Sequence, residues 1–240
     1  MKLEILSALN AERAARRAVI VVTDVASGAQ RLVKAAEISA DPLKVQLEER
    51  LRSGKSGMVE TSEGRAFLTV HVPPPHLVMI GAVHVSQVLA PMARLLGYDV
   101  AIVDPRTAFA TKERFPDVPM IAEWPDAALP RLAIDRYTAF AALTHDPKID
   151  DPALIYALDC DCFYIGALGS KKTHARRIAR LKEQGASEQS LARIRAPIGI
   201  AIGAVSPAEI ALAIMAQITA SLRLSAEATP SLRLPAEAAS

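Results

Sequence analysis

The chain has 240 residues, 28 Lys and Arg against 26 Asp and Glu, a net charge of +2, and 51% hydrophobic but only 4% aromatic residues. That length can bury the core of one large or two small domains, and the near-neutral balance excludes a generally basic nucleic-acid binder. No apolar run reaches the ~18 residues of a membrane span, Met1-Lys2-Leu3-Glu4 carries no apolar stretch of a secretion signal, and two cysteines one residue apart make no disulfide framework, so a cytoplasmic protein is expected.

Pro73-Pro74-Pro75 divides the chain. Before it, the apolar spacing predicts a helix over 3–14, strands over 17–23 and 30–36, a helix over 42–52, and a hairpin of 57–61 and 65–71, with Gly28 and Gly64 in turns. This is a small α+β domain, residues 1–72.

After the prolines, short apolar runs alternate with helical patterns. Strands are expected at 77–81, 100–103, 119–122, 138–143 and 162–166, and helices at 85–96, 151–158, 171–184, 188–194 and 207–219. That alternation implies parallel pairing, so 77–222 reads as a Rossmann-like α/β domain with a doubly wound parallel sheet. Pro91 should bend its helix or delay its start. Asp151-Pro152 reads as an N-cap with proline at the first helical position, and Asp146-Pro147 as a turn. Ser206-Pro207-Ala208-Glu209 is a capping box, and Gly97 and Gly185 are helix stops. Ser221 to Ala228 is nearly repeated as Ser231 to Ala238, so 223–240 is expected to be a low-complexity, dispensable tail.

In an open parallel sheet, ligands bind beyond the carboxyl ends of the strands. Those ends deliver Gly81, Ala82, Val83 and His84, then Asp104 and Arg106, then Thr144, His145 and Asp146, then Gly166, Gly169, Ser170 and Lys171. Asp104 follows Gly81 by 23 residues, about the ~20-residue offset at which a dinucleotide fold places its ribose-binding acid. Val83 and Ser86 stand where the second and third glycines of Gly-x-Gly-x-x-Gly would be, and a valine there would crowd a pyrophosphate. In this reading Asp104 accepts from ligand hydroxyl or amine groups, while Arg106, Ser170 and Lys171 meet phosphate, although Gly169-Ser170-Lys171 taken alone reads as a tight turn capping a helix.

Other groups read as structure. His145, Asp146, Asp150 and Asp151 match no compact metal motif, so no metal is expected. Cys160 and Cys162 suit packing under a helix. In helix 171–184, Lys171, Lys172, Arg176, Arg177, Arg180 and Lys182 form a basic surface, with Ala175, Ile178 and Leu181 facing inward; Arg176, Arg177 and Arg180 are candidate docking residues.

Five ordered blocks carry a resemblance: Gly81-x-x-His84-Val85; Asp104-x-Arg106-x-x-Phe109-Ala110-x-x-x-Arg114-Phe115-Pro116; Thr144-His145-Asp146; Tyr164-Ile165-Gly166-x-x-Gly169-Ser170; and Ala196 to Ala211. Residues 77–219 resemble the xanthine dehydrogenase accessory protein family (XdhC/CoxI). The resemblance implies a Rossmann-like domain and a non-catalytic cytoplasmic factor. Such a factor binds the molybdenum cofactor, a pterin, as cargo and shields it during sulfuration. It then helps insert it into an apo-molybdenum hydroxylase. A cysteine desulfurase and a second copy of the chain are further candidate partners; nucleic acid and membrane are not. The family's usual Gly-x-Gly-His turn has Val83 here, and residues 1–76 lack its Gly-Ser-x-Pro-Arg and Gly-Gly-Cys motifs. Two alternatives remain: an NAD(P)-dependent oxidoreductase with His84 or His145 as proton donor, and a ligand-free Rossmann interaction module.

Overall fold

The computed structural model describes residues 2–62 and 64–224. The chain divides between Pro73 and Pro74 into two compact units.

The first unit has helix α1 (Leu3–Ala14), strands β1 (Val19–Asp24) and β2 (Gln30–Lys34), a 3-10 turn (Ala35–Ala40), helix α2 (Lys44–Ser53) and strands β3 (Gly57–Thr61) and β4 (Gly64–His71). The strands form an antiparallel sheet in the order β2-β1-β4-β3. Ile20, Val22, Val33, Ile38, Leu47, Ala66 and Leu68 make its core. Glu12 on α1 is buried, and its carboxylate meets Arg17 at 2.6 Å and Lys34 at 3.2 Å.

The second unit opens with β5 (His76–Ile80), α3 (His84–Leu95), β6 (Asp99–Val103), the two-residue β7 (Met120–Ile121) and the short α4 (Pro125–Ala128). It continues through β8 (Thr138–Ala142), α5 (Pro147–Asp159), β9 (Tyr164–Ala167), α6 (Lys171–Glu183), the short α7 (Glu188–Leu191), β10 (Ile194–Arg195) and α8 (Pro207–Arg223). The six-stranded sheet is parallel, ordered β10-β9-β8-β5-β6-β7. The order reverses between β5 and β8, and such a switch point opens a crevice at the carboxyl ends of the strands. This is the expected doubly wound α/β fold.

Side chains alternate across the sheet. Leu77, Met79, Ile102, Ala139 and Ala141 pack under α3 and α8. Val78, Ile80, Val103, Phe140, Ala142 and Ile165 pack with Ile149, Leu154 and Ala157 of α5 and Leu181 of α6. The apolar runs 77–80 and 138–142 are continuous because both faces are covered.

Several boundaries differ from those expected. Helix α5 starts at Pro147, not Asp151. Asp146 is its N-cap, accepting from the Lys148 N–H at 2.9 Å, and Pro152 lies within the helix. Both Asp-Pro pairs carry the same start signal, but Asp151 is engaged elsewhere: its carboxylate accepts from Arg180 Nε and Nη2 at 2.5 and 3.0 Å. Helix α3 starts at His84 and runs through Pro91 without a late start. Instead of one helix over 188–194, α7 ends at Leu191 and Ile194–Arg195 adds an edge strand beside β9. Arg177 is 2% exposed and Ala175 is exposed, so that part of the basic surface is reversed. The capping box holds: Ser206 Oγ accepts from the Glu209 N–H, and Glu209 accepts from the Ser206 N–H. Helix α8 extends to Arg223, and of the expected tail residues 225–240 lie outside the described residues.

Candidate functional site

The strand ends around the switch point are joined by a continuous chain of contacts. It begins at β6. Asp104 is fully buried, and its two oxygens accept from the N–H of Ala82 (2.7 Å), the N–H of Arg106 (2.9 Å), and Arg106 Nε (2.9 Å) and Nη2 (2.8 Å). Four donors saturate a carboxylate. Burial pushes this carboxyl up, but the bonds from Arg106 and Ala82 outweigh it and hold it below the usual range. The acid therefore fixes the glycine turn onto β6. Arg106, about a third exposed, also lies 4.9 Å over the Phe109 ring.

The turn between β5 and α3 is held from both sides. Gly81 has φ +116°, and a Cβ there would meet Thr144 Cγ2 at 2.8 Å. Its carbonyl accepts from Ser86 Oγ at 2.6 Å. Ser86, where the fingerprint has its third glycine, thus bonds back to the first. Val83 is the N-cap of α3 with no side-chain cap, half-buried against the apolar layer under α3. His84 is exposed on the first turn. Arg114 Nη1 donates to the carbonyls of Ala82 (3.0 Å) and Phe109 (2.9 Å), folding the segment after Asp104 over the start of α3.

Across the switch point, Thr144 and His145 lead into α5. Asp150 accepts from Thr144 Oγ1 (2.7 Å), the Thr144 N–H (3.3 Å) and the His145 N–H (3.0 Å). Burial pushes the Asp150 carboxyl above its ordinary value, against those bonds and the nearby Arg177 charge. His145 is exposed at φ +63°.

Arg177, on α6, is the next link. Its Nη2 donates to the Leu168 carbonyl at 2.9 Å and lies 3.9 Å from Asp150. Its Nε and Nη1 are buried without a hydrogen-bond partner. Gly169 (φ +134°) sits against Thr173 and Arg177, and Ser170 caps α6 by accepting from the Thr173 N–H at 3.2 Å. Lys171 is exposed on the first turn of α6. His145, Pro147, Asp150, Asp151, Thr173, Arg176, Arg177 and Arg180 line a cavity of about 160 Å³ between α5 and α6.

The structure thus gathers Gly81, Ala82, Asp104, Arg106, Gly169, Ser170 and the 144–146 segment along one edge. It gives several of them work within the protein: Asp104 and Asp146 hold backbone donors. Gly166 is a packing glycine, since a Cβ there would meet Ile198 Cδ1 and the Tyr164 hydroxyl, each at 2.6 Å. The sequence offers Arg177 only as part of a basic docking surface and Thr144 only as one of the residues at a strand end. The available signal for Arg177 is its position four residues before Leu181, on the inward stripe of α6. Cys160 and Cys162 precede β9, at the opposite end of the sheet from this edge. Burial pushes the Cys162 thiol up to about 12. Among the described residues no group of three or more His, Cys, Asp or Glu is placed to hold a metal ion, and no helix is long and apolar enough to cross a membrane.

Residues 77–218 match the XdhC Rossmann domain. The chain is 35% identical over 147 residues to the uncharacterized protein YqeB of Escherichia coli, a match covering 60% of this chain and 26% of that protein. It is 34% identical over 128 residues to PaoD of Escherichia coli, a molybdenum cofactor insertion chaperone, covering 53% of this chain and 34% of PaoD. A Bacillus subtilis protein named as a probable xanthine dehydrogenase subunit is 30% identical over 138 residues, covering 57% of this chain and 40% of that protein. These matches span well under half the length of each curated relative. A crystal structure described as a xanthine dehydrogenase from Bacillus halodurans shares the fold, with a TM-score of 0.69 at 22% identity, covering 96% of this chain and 70% of that one.

Proposed function

The chain belongs to the XdhC Rossmann-domain family, and from that membership we propose that it is a non-catalytic maturation factor that carries the molybdenum cofactor to an apo-molybdenum hydroxylase in the cytoplasm. The observation that carries the reading is the likeness to PaoD, 34% identical over 128 residues. In this reading the cofactor is cargo, held along the strand ends while its terminal sulfur is installed and then released. A cysteine desulfurase supplies that sulfur, and the chain acts as a homodimer.

The residues suit one end of such a cargo. The cofactor ends in a phosphate, and the buried, unpartnered N–H groups of Arg177 beside a polar cavity suit an oxyanion. A 160 Å³ cavity is smaller than the roughly 300–1,000 Å³ that encloses a complete small molecule. The pterin would therefore lie outside it, over Gly81, Ala82, His84, Arg106, His145, Ser170 and Lys171. An open seat favours release over tight enclosure, as delivery requires. The NAD(P)-oxidoreductase reading is weaker. The acid expected to accept from a ribose has its four acceptor positions filled by Ala82 and Arg106.

The test is a deletion strain. Hydroxylase polypeptide, molybdenum content and activity are measured side by side. The expected result is polypeptide at its normal level with low activity and a cofactor that is missing or lacks its sulfur. Fully loaded and active hydroxylases throughout would sink the proposal.

A further inference from the structure

A guanidinium carries five N–H donors and no acceptor. In Arg177 the side chain is 2% exposed, one nitrogen bonds the Leu168 carbonyl, and the other two are buried without a partner. Its nearest carboxylate, Asp150, is 3.9 Å away and already accepts from Thr144 and His145. Buried charges are ordinarily paired and fully hydrogen-bonded, because desolvation without compensation is costly. This arginine is underpaired, and it lines a cavity.

The rest of the cavity wall shows what would complete it. Arg180 is engaged by Asp151 in a two-bond fork. Asp150 is turned onto the donors of the 144–145 segment. Arg176 is exposed at the mouth, forming no hydrogen bond or ion pair among the described residues. The Thr173 hydroxyl sits 3.0 Å from the cap Ser170 Oγ. Three guanidinium groups face two carboxylates, and the donors left over belong to Arg177 and Arg176. Donors without acceptors, on an arginine that lines a space of about 160 Å³, call for a small anion rich in acceptor oxygens. A phosphate group offers oxygens matched to a planar guanidinium.

We propose that the cavity between α5 and α6 is a binding site for the phosphate group of a phosphate monoester, held by Arg177 with Arg176 and Thr173 at its mouth. The seat stands on this geometry whatever the cargo; that the phosphate belongs to the cofactor rests on the reading of the preceding section. It also shifts the anion-binding role from Lys171 and Arg106, at the surface, to an arginine inside the wall.

The test titrates inorganic phosphate, and separately phenyl phosphate, into the purified full chain by calorimetry at constant ionic strength, with sodium chloride as control. Saturable binding of both is expected, with phenyl phosphate at least as tight. Losing charge-assisted bonds weakens an anion roughly 10- to 100-fold, so Arg177→Met should weaken phosphate by at least about tenfold. Arg176→Gln and Thr173→Val, which touch only the mouth, should each weaken it several-fold. They carry the test if Arg177→Met does not fold. Absence of saturable binding at millimolar phosphate, equal affinity in wild type and the variants, or binding of inorganic phosphate with refusal of the ester would each overturn the proposal. Phosphate binding that persists while the deletion strain loads its hydroxylases normally would leave the seat standing and sink the cargo reading alone.

Discussion

Gly81 and Thr144 meet across the topological switch point so closely that a Cβ on Gly81 would stand 2.8 Å from Thr144 Cγ2. Gly81 therefore lets β8 approach the turn after β5, whatever else lies above it.

Gly81→Ala should destabilise the protein for two separable reasons. The φ of +116° strains any side chain by about 1–3 kcal/mol, and the methyl clash adds to it. Thr144→Ser removes Cγ2 but keeps the hydroxyl bonded to Asp150. In a double-mutant cycle followed by chemical denaturation, the serine should recover the clash and not the strain, with a coupling of about 0.5–3 kcal/mol. Zero coupling would show that the close approach is not real.

Asp104→Asn should cost about 1.5–3 kcal/mol, the loss of hydrogen bonds to a charged group. The amide oxygen can still accept from Ala82, but its NH₂ faces Arg106. Because the folded Asp104 carboxyl is held below the ordinary range, its contribution is present above the unfolded value and fades as pH falls through the folded one. Denaturant midpoints should show wild type and variant converging in acid. A gap that stays constant down to strong acid would contradict this assignment.

Much of this edge was legible because its signals are local. The runs 77–80 and 138–142 and the Ser206–Glu209 box each state their role within a few residues, whereas Asp104 reads as a ligand acceptor and instead holds Ala82 and Arg106. What was hidden depends on partners distant in sequence. Asp146-Pro147 and Asp151-Pro152 carry the same helix-start signal, and only Arg180, on another helix, explains why Asp151 is not the cap. Arg177 sits in a run of cations that reads as a solvated face, yet it occupies the stripe of Leu181. Ile194–Arg195 is too short to announce a strand, and its edge position exists only because β9 is there to pair with it.

In the first unit, Glu12 should dominate acid sensitivity. The bond from Arg17, aided by Lys34, holds its carboxyl down from 4.5 to about 2. A depressed acid contributes stability above its unfolded value and loses it as pH falls toward the folded one. Melting temperatures of wild type should therefore fall more steeply than those of Glu12→Gln between pH 4.5 and pH 2, the window set by those two values. Parallel curves would remove Glu12 from the account.

Sulfur delivery to a cofactor invites a role for cysteine, and this chain has only Cys160 and Cys162. Both precede β9, while the candidate site follows it, so the length of the strand separates them. Burial raises both thiols, Cys162 to about 12, which disfavours the thiolate, the form that attacks or ligates. The carbonyls of Leu158, Cys160 and Cys162 all accept from Arg193, which marks the segment as a structural clasp. The Cys160→Ala/Cys162→Ala variant should therefore restore hydroxylase activity to the deletion strain as fully as wild type, at a stability cost of about 1 kcal/mol. If the folded variant leaves the hydroxylase inactive, the position of these thiols at the far end of the strand does not keep them out of the proposed maturation role.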